Sequence, residues 1–288
     1  MLSHRTVNNM LKILIHLGQS LLSGLGAVWL LLKPFYDLGP PTQPKVCFLT
    51  FLLAGSVIGF VSFLVNGFFV SGFLKRSIEI KSNAIDTTVK IIFGDLFAQD
   101  GCKVVSVNDF FDSAVDDKHV AASSLHGLML TRCWPRSKAD WDAQVARDLA
   151  DTPPTEECDR PSPGKPNRYA IGTTASVSRN GEHFLCVALT NTCTETLQVS
   201  ATSVDLQHAV RALLSKARTV CSGRPLNIPL LGSGLGRTGI KPNIIVDLIL
   251  LAIFEESKCR KVTDHIRIVL PKHLRTRIDL TTIEQDWR

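Results

Sequence analysis

Residues 228–240 read IPLLGSGLGRTGI, and the way this stretch is read decides the fold. The apolar run Leu226–Leu231 has the length and flanks of a buried strand, and it enters a loop holding Gly232, Gly234, Gly236 and Gly239. From about Lys241 an apolar helix follows, with Ile244–Phe254 apolar apart from Asp247. That run is too short to cross a bilayer, which predicts a buried helix lying on a sheet. Strand, glycine loop and helix in this order outline an anion cradle. Glycine lets a backbone approach a ligand closely, and the first turn of a helix presents N–H groups that lack partners within the helix. The same residues also fit a glycine-rich turn that holds nothing.

The loop is not a Walker P-loop, because no Gly-Lys-Ser/Thr closes it, and Arg237 stands where a dinucleotide fingerprint needs its third glycine. Working outward, short apolar strands alternate with helices. Val89–Phe93 reads as a strand ending in Gly94-Asp95, and Val104–Val107 as a strand ending in Asn108. Ser137 to Asp140 has the spacing of a capping box, and Trp141, Val145 and Leu149 recur on one helical face behind it. Asn180-Gly181, between YAIGTTASV and FLCVALT, is a strong two-residue hairpin signal. Ser203 reads as a helix N-cap ahead of the apolar face Leu206, Val210, Leu213, Leu214 and Ala217, and Ile266–Leu270 as a last strand. Residues 151–168 carry five prolines and read as an irregular excursion. The pattern predicts a three-layer α/β/α domain over residues 88–288, a mixed sheet with helices on both faces. Residues 75–87 read as a linker.

Residues 1–74 are of another kind. Residues 11–32 and 46–70 are each long and apolar enough to cross a bilayer as helices, and a short loop with four prolines joins them. Two spans joined this way form a hairpin with both ends on one side. Arg5 and Lys12 at the start of the first span, and Lys75, Arg76 and Lys81 after the second, place that side in the cytoplasm. Gly55 and Gly59, with Ser20 and Gly24, make small-residue steps that suit close packing either within the hairpin or between chains. His16, Gln19 and Asn66 are polar groups at membrane depth, where such groups face protein or water.

Charge narrows the partners. The net charge is +6 over 288 residues, and residues 1–74 contribute four Lys/Arg against one acid, so the remainder is nearly balanced. No basic stripe of the kind that reads nucleic acid is present. The eight cysteines are scattered with no C-x-x-C pair and no zinc-ligand spacing, which predicts free thiols, a reducing compartment and no bound metal.

Three short motifs could carry a ligand. Asp95 could accept from an exocyclic amine, and Asn108 could reach a sugar hydroxyl; each also fits an ordinary turn residue. The acidic run Asp112, Asp116 and Asp117 fits either a contact to a cationic group or a solvated loop. Taken in order, Gly94-Asp95, Val107-Asn108 and PLLGSGLGRTG resemble the macro domain, an ADP-ribose-binding α/β/α fold. The resemblance implies that Asp95 holds the adenine amine, that Asn108 holds the distal ribose, and that the backbone of Gly232, Ser233, Gly234, Leu235 and Gly236, with Arg237 beside it, holds the diphosphate. After Asn108 this chain has DFFDSAVDDKH where macro domains carry small residues, a second Asn and a glycine run. Asp112 is the nearest counterpart of that second Asn, so no catalytic residue is assigned and a ligand sensor is expected rather than an enzyme. The hairpin, the altered loop and the SSLHG step at 123–127 together resemble the membrane-anchored effectors of bacterial Thoeris anti-phage systems. That resemblance implies a multi-pass protein of the bacterial inner membrane, with both termini and the macro domain cytoplasmic. It implies no cofactor, and as ligand an ADP-ribose derivative, expected to be histidine joined to ADP-ribose. It further implies a TIR-domain partner that makes the signal from NAD, contact with membrane lipid, and homo-oligomers that disrupt the membrane on activation. The alternative is a membrane-tethered hydrolase of ADP-ribose or a related nucleotide.

Overall fold

A computed structural model describes residues 4–38, 48–70, 74–81, 86–136, 138–232, 239–275 and 277–287. The chain falls into two compact units: Met1–Arg76 with His273–Asp286, and Ser77–Lys272 with Trp287–Arg288.

The first unit is built on two helices, α1 (His4–Leu38) and α2 (Phe48–Val65), the latter closing in a π-helical turn over Asn66–Val70. Within them Ile13–Lys33 and Phe48–Val70 are long and apolar enough to cross a membrane. α1 runs on past Pro34 to Leu38, so the first part of the expected loop is helical. A proline there forfeits only one backbone bond close to the helix end. The small residues decide how the helices meet. A Cβ on Gly24 would lie 2.4 Å from the Gly55 carbonyl oxygen and the Gly59 nitrogen, and one on Gly59 would lie 2.6 Å from the Leu21 Cα. Gly55 faces Leu25 while Gly59 faces Leu21, so the two helices run antiparallel. The small-residue steps are therefore spent inside the hairpin, where backbone meets backbone and dispersion contacts accumulate.

The second unit begins within the stretch read as a linker. Ser77–Ile80 is a strand, β1, with Ile78 and Ile80 buried and Ser77 and Glu79 outward, paired antiparallel to β2 (Thr88–Gly94). Period-two alternation over so short a run is easily missed between charged flanks. β3 (Cys102–Asn108) follows, then α3 (Leu125–Cys133) and α4 (Ala139–Asp148). In the proline-rich excursion β4 (Glu156–Glu157) and β5 (Asn167–Arg168) form a two-residue ladder. β6 (Thr174–Arg179) and β7 (Glu182–Thr192) make the expected hairpin, with Asn180 and Gly181 both at positive φ (52° and 79°). β8 (Val199–Ser200), α5 (Ser203–Val220), β9 (Leu226–Pro229), α6 (Pro242–Cys259) and β10 (His265–Pro271) complete the unit.

The eight-stranded sheet has the order β1-β2-β10-β9-β3-β7-β6, with β8 on β7. β2, β10, β9, β3 and β7 run parallel, and β1, β6 and β8 pair antiparallel. The alternate residues Val105 and Val107 of β3 and Phe184, Cys186 and Ala188 of β7 pack with Met129, Leu130, Trp141 and Val145 of α3 and α4. The intervening residues Val104, Leu185 and Val187 are equally buried on the other face, where α5 packs on β7 with α6 beside it. The expected mixed sheet between helical layers is thus the fold.

Two cap positions differ from the expected ones. Thr202 caps α5 one residue before Ser203, because Asp205 stands at the spacing that closes a reciprocal box with it: Asp205 N donates to Thr202 Oγ1 (3.1 Å) and Thr202 N to Asp205 Oδ2 (2.8 Å). Lys138 occupies the cap of α4, Ser137 lies outside the described residues, and the Asp140 carboxylate takes the Trp134 indole N–H (3.1 Å) and Arg179 instead.

After β10 the chain returns to the first unit. Its short helix α7 (Leu280–Asp286) buries Leu280 and Ile283; there Glu284 pairs with Lys75 (2.6 Å), and Arg275 donates to the Leu74 carbonyl (2.7 Å). Where a domain over residues 88–288 was expected, the compact units group Ser77–Ile80 with the sheet and His273–Asp286 with the hairpin.

Candidate functional site

Parallel pairing puts the carboxyl ends of β2, β9 and β3 on one edge of the sheet, and the three sequence motifs sit at those ends. Asp95 follows β2, Leu230–Gly232 follows β9, and Asn108 ends β3. β9 and β3 pair only through Cys102–Leu226 and Lys103–Asn227, after which β9 continues on β10 and β3 on β7. The ladder therefore opens between them just below Asn108 and the glycine loop. In open α/β sheets ligands bind outside the carboxyl ends of strands at such a divergence. Gly232 takes φ +73°, a conformation other residues adopt only under strain, so the turn out of β9 uses its first glycine for backbone geometry.

Ser233, Gly234, Leu235, Gly236 and Arg237 lie outside the described residues. The helix behind them is placed as the sequence predicts. α6 opens with Pro242 at its first position and no acidic residue in its first turn, so its own side chains do not offset the positive end of the helix dipole.

Asp95 is exposed and caps the 3-10 turn Leu96–Ala98, accepting from Phe97 N at 3.0 Å. Capping by one carboxylate oxygen fixes the side chain at the sheet edge, so the turn role and an acceptor role are compatible.

Asn108 is buried, and a bulge between β3 and β7 falls immediately before it. Bulges re-aim the residue that follows them. Its Nδ2 donates to Asp112 Oδ2 (2.8 Å) and its Oδ1 accepts from Asp112 N (3.0 Å), closing a turn in which Phe111 sits at φ +50°. Asp112 then behaves differently from the expectation that it meets a ligand. Oδ1 accepts from Arg160 Nη1 (3.0 Å) and Lys165 N (2.9 Å), and Oδ2 from Arg160 Nη2 (2.8 Å) and Asn108. Those four bonds fill a carboxylate's acceptor sites, and both side chains of the ion pair are 1% exposed. In this arrangement Asp112 holds Asn108. Burial by itself would raise the Asp112 carboxyl, but the Arg160, Lys165 and Asn108 donors outweigh it and hold it below the usual carboxylate range.

The residues that complete this wall come from the excursion, which the sequence marks only as irregular. The Arg160 guanidinium lies 3.8 Å from the Phe110 ring centroid and that of Arg168 lies 4.9 Å from it. Arg168 Nε is 3.2 Å from Asp109 Oδ2, and Asp109 Oδ1 also takes the Thr192 hydroxyl (2.6 Å) and amide (3.1 Å). Burial dominates at Asp109 and pushes its carboxyl above the usual range despite those donors. The available signal was the pairing of DFFD at 109–112 with two arginines in DRPSPGKPNR at 159–168.

His119 and His126 are held within the fold. His119 Nδ1 meets Asp116 Oδ2 (2.8 Å) and its Nε2 meets the Pro161 carbonyl (3.1 Å). Burial pulls the Asp116 carboxyl up, yet the His119 and Lys118 hydrogen bonds leave it at about 2. His126, in the first turn of α3, is buried against Trp141 (5.4 Å between rings), and its Nε2 has no hydrogen-bond partner. Burial, helped by the charge of Lys165, lowers its pKa to about 3. The unfolded chain protonates at the ordinary value of 6.5. Between those two values the unfolded state binds more protons, so stability is full above the upper value and falls as the pH drops toward the lower. We expect urea unfolding of the full chain in detergent to show this loss below neutrality, at up to about 1.4 kcal/mol per pH unit from this group, and His126→Gln to flatten it. Among the described residues no His, Cys, Asp and Glu cluster could hold a metal ion.

Residues 89–271 match the family described as "Thoeris protein ThsA, Macro domain". The chain is 28% identical over 165 residues to the Thoeris protein ThsA of Bacillus amyloliquefaciens (strain Y2), covering 55% of this chain and 53% of that one. It thus spans about half the length of this curated relative. Among solved structures, the Oceanobacillus iheyensis macrodomain with ADP superposes with a TM-score of 0.49 at 12% identity, over 74% of this chain and 100% of that chain. The same macrodomain with MES bound gives 0.49 at 14%, over 73% and 95%.

Proposed function

We propose, for a chain that belongs over residues 89–271 to the Thoeris protein ThsA macro-domain family, that its sheet edge binds an ADP-ribose derivative and that binding switches an anti-phage effector on. The observation that carries this reading is the convergence of Asp95, Asn108 and Gly232 on one edge, where β9 and β3 part. Asp95 accepts from the adenine amine and Asn108 holds the distal ribose. The backbone of Gly232 to Gly236, with Arg237 beside it, holds the diphosphate at the start of α6. Arg160 and Asp112 keep Asn108 in place for that contact.

The chain acts as a sensor. Asp112 has no acceptor site left to serve as a base, and both ring nitrogens of His119 are engaged, so neither supports hydrolysis. The signal is a conjugate of histidine with ADP-ribose made from NAD by a TIR-domain protein. The hairpin anchors the chain in the bacterial inner membrane with both termini and the macro domain in the cytoplasm. Ligand binding drives homo-oligomers that disrupt the membrane. Such a switch needs about 5.5 kcal/mol of differential binding to pass from mostly off to mostly on, within reach of a ligand with two phosphates and two ribose rings.

Titration of the full chain in nanodiscs with ADP-ribose and with its histidine conjugate, followed by chromatography of the ligand, tests the proposal. Binding with the ligand recovered intact, and tighter for the conjugate, is expected. Turnover of either compound would establish a hydrolase instead, and failure to bind either would overturn the reading of the site.

A further inference from the structure

A helix that lies on a sheet normally turns polar side chains to the solvent. α6 turns aliphatic ones. Its inner side, with Ile245, Val246, Ile249, Leu250 and Ile253, is buried. On its outer side Ile244 is 48% and Leu251 42% exposed, with Leu248 half-buried between them. Among the described residues of the sheet domain the other exposed large apolar side chains are Leu128 on α3 and Val204 on α5, one to a helix. Two on one helical face occur on α6.

The charges of that face stand at its ends. Lys241 precedes Leu248 by seven residues and Glu255 follows it by seven, while Ile244 and Leu251 stand four before and three after. Spacings of three, four and seven keep all five on one stripe. Lys241 and Glu255 are exposed. The Glu255 carboxylate lies 3.9 Å from Arg211 Nη1, with the two side chains 50% and 57% exposed, and Arg211 is held closer by Glu256 at 3.0 Å. So long and exposed a pair contributes little, and it leaves Glu255 open to a better partner.

A stripe with a cation at one end, a carboxylate at the other and aliphatic side chains between them is complementary to an antiparallel copy of itself. Crossed at Leu248, two such helices set Lys241 of each against Glu255 of the other, Ile244 against Leu251, and Leu248 against its own counterpart. A parallel pair would set like charges side by side. Identical chains most often meet about a two-fold axis, which needs a patch of this self-complementary kind.

We propose that the outer face of α6 is the surface on which two copies of the chain pair, antiparallel about Leu248. A seam one helix wide belongs with the small contacts, those burying less than about 1,200 Å², which are weak and transient. Such a contact suits assembly on demand. α6 follows the loop that wraps the diphosphate in the proposed switch, so ligand and second copy act on one helix. The trigger rests on that reading; the contact itself does not.

The test uses the full chain in detergent, with and without the histidine conjugate of ADP-ribose, and reads its mass by analytical ultracentrifugation. Leu251→Glu and Ile244→Lys each set a charge against an aliphatic side chain of the second copy, and each is expected to weaken pairing by about tenfold or more. Both side chains are partly exposed, so the fold is expected to hold, and isothermal titration with the conjugate checks that each variant binds it as the parent does. Mixed in equal amounts, the two variants are expected to pair again: one end of the seam then joins the two introduced charges, of opposite sign, and the other keeps Ile244 against Leu251. Single variants that pair like the parent, a mixture that stays monomeric, or a parent chain that pairs under neither condition would overturn the inference. Loss and recovery of pairing in a chain that does not bind the conjugate would uphold the contact and overturn the proposed switch.

Discussion

Replacing Arg160 by alanine is expected to lower the stability of the sheet domain by about 3–5 kcal/mol, the range found when one partner of a buried ion pair is removed. Arg160 and Asp112 are each 1% exposed. The substitution strands the Asp112 carboxylate in the interior with two of its four donors, Asn108 Nδ2 and Lys165 N. The excursion also loses its stacking on Phe110. Urea unfolding of the full chain in detergent, followed by the fluorescence of buried Trp134 and Trp141, measures the loss. Asp112→Leu combined with Arg160→Met removes both charges and is expected to recover much of it, because an apolar pair owes no desolvation penalty. Ligand affinity should not recover in that double variant, since Asn108 loses the partner that orients it. A loss below about 1 kcal/mol for Arg160→Ala would mean that the pair behaves as an exposed one and that the wall around Asn108 stands without it.

Gly234→Val is expected to weaken binding of the histidine conjugate by about a hundredfold or more, equal to at least about 2.7 kcal/mol, while unfolding and membrane insertion stay as in the parent. A β-branched side chain restricts the backbone where the loop must wrap a diphosphate, and it fills the space the phosphates would take. The substitution leaves every described core residue unchanged, so the folding penalty is expected to be small. Isothermal titration of the full chain separates the outcomes. Unchanged affinity would show that residues 232–236 are a plain turn; a collapse of folding together with binding would make the loop structural.

Much of the site was legible because its parts are local. The strand before each motif announces itself by an apolar run, and the residue that ends a parallel strand is at the ligand edge by construction. Gly94-Asp95, Val107-Asn108 and Gly232 could therefore be placed on that edge without knowing the sheet order. The hairpin at Asn180-Gly181 and the helix at Ile244–Phe254 are of the same kind, fixed by turn chemistry and burial within one segment. The edge strand Ser77–Ile80 was missed because four residues between charged flanks carry too little periodicity to stand out from a linker. The cap of α5 moved to Thr202 because two neighbouring hydroxyl residues could each take the role, and Asp205 stands at the spacing that closes a box with Thr202.

What the sequence determined by itself is the set of parts: two apolar helices long enough to cross a membrane, an α/β domain with a mixed sheet, and three motifs at the carboxyl ends of its strands. Each follows from interactions within a few residues, which the order of side chains records directly. Only the tertiary structure decided that Asp112 pairs with Arg160, across 48 residues of chain. It alone decided that Gly55 and Gly59 are spent against Gly24 and Leu21, and that Ser23 and Ser62 share a cleft. It also groups the last helix with the hairpin rather than with the sheet. A carboxylate or a glycine does not state its partner in its own neighbourhood. Long-range pairing is settled by which groups burial brings within hydrogen-bond or van der Waals distance, and that is a property of the packed chain.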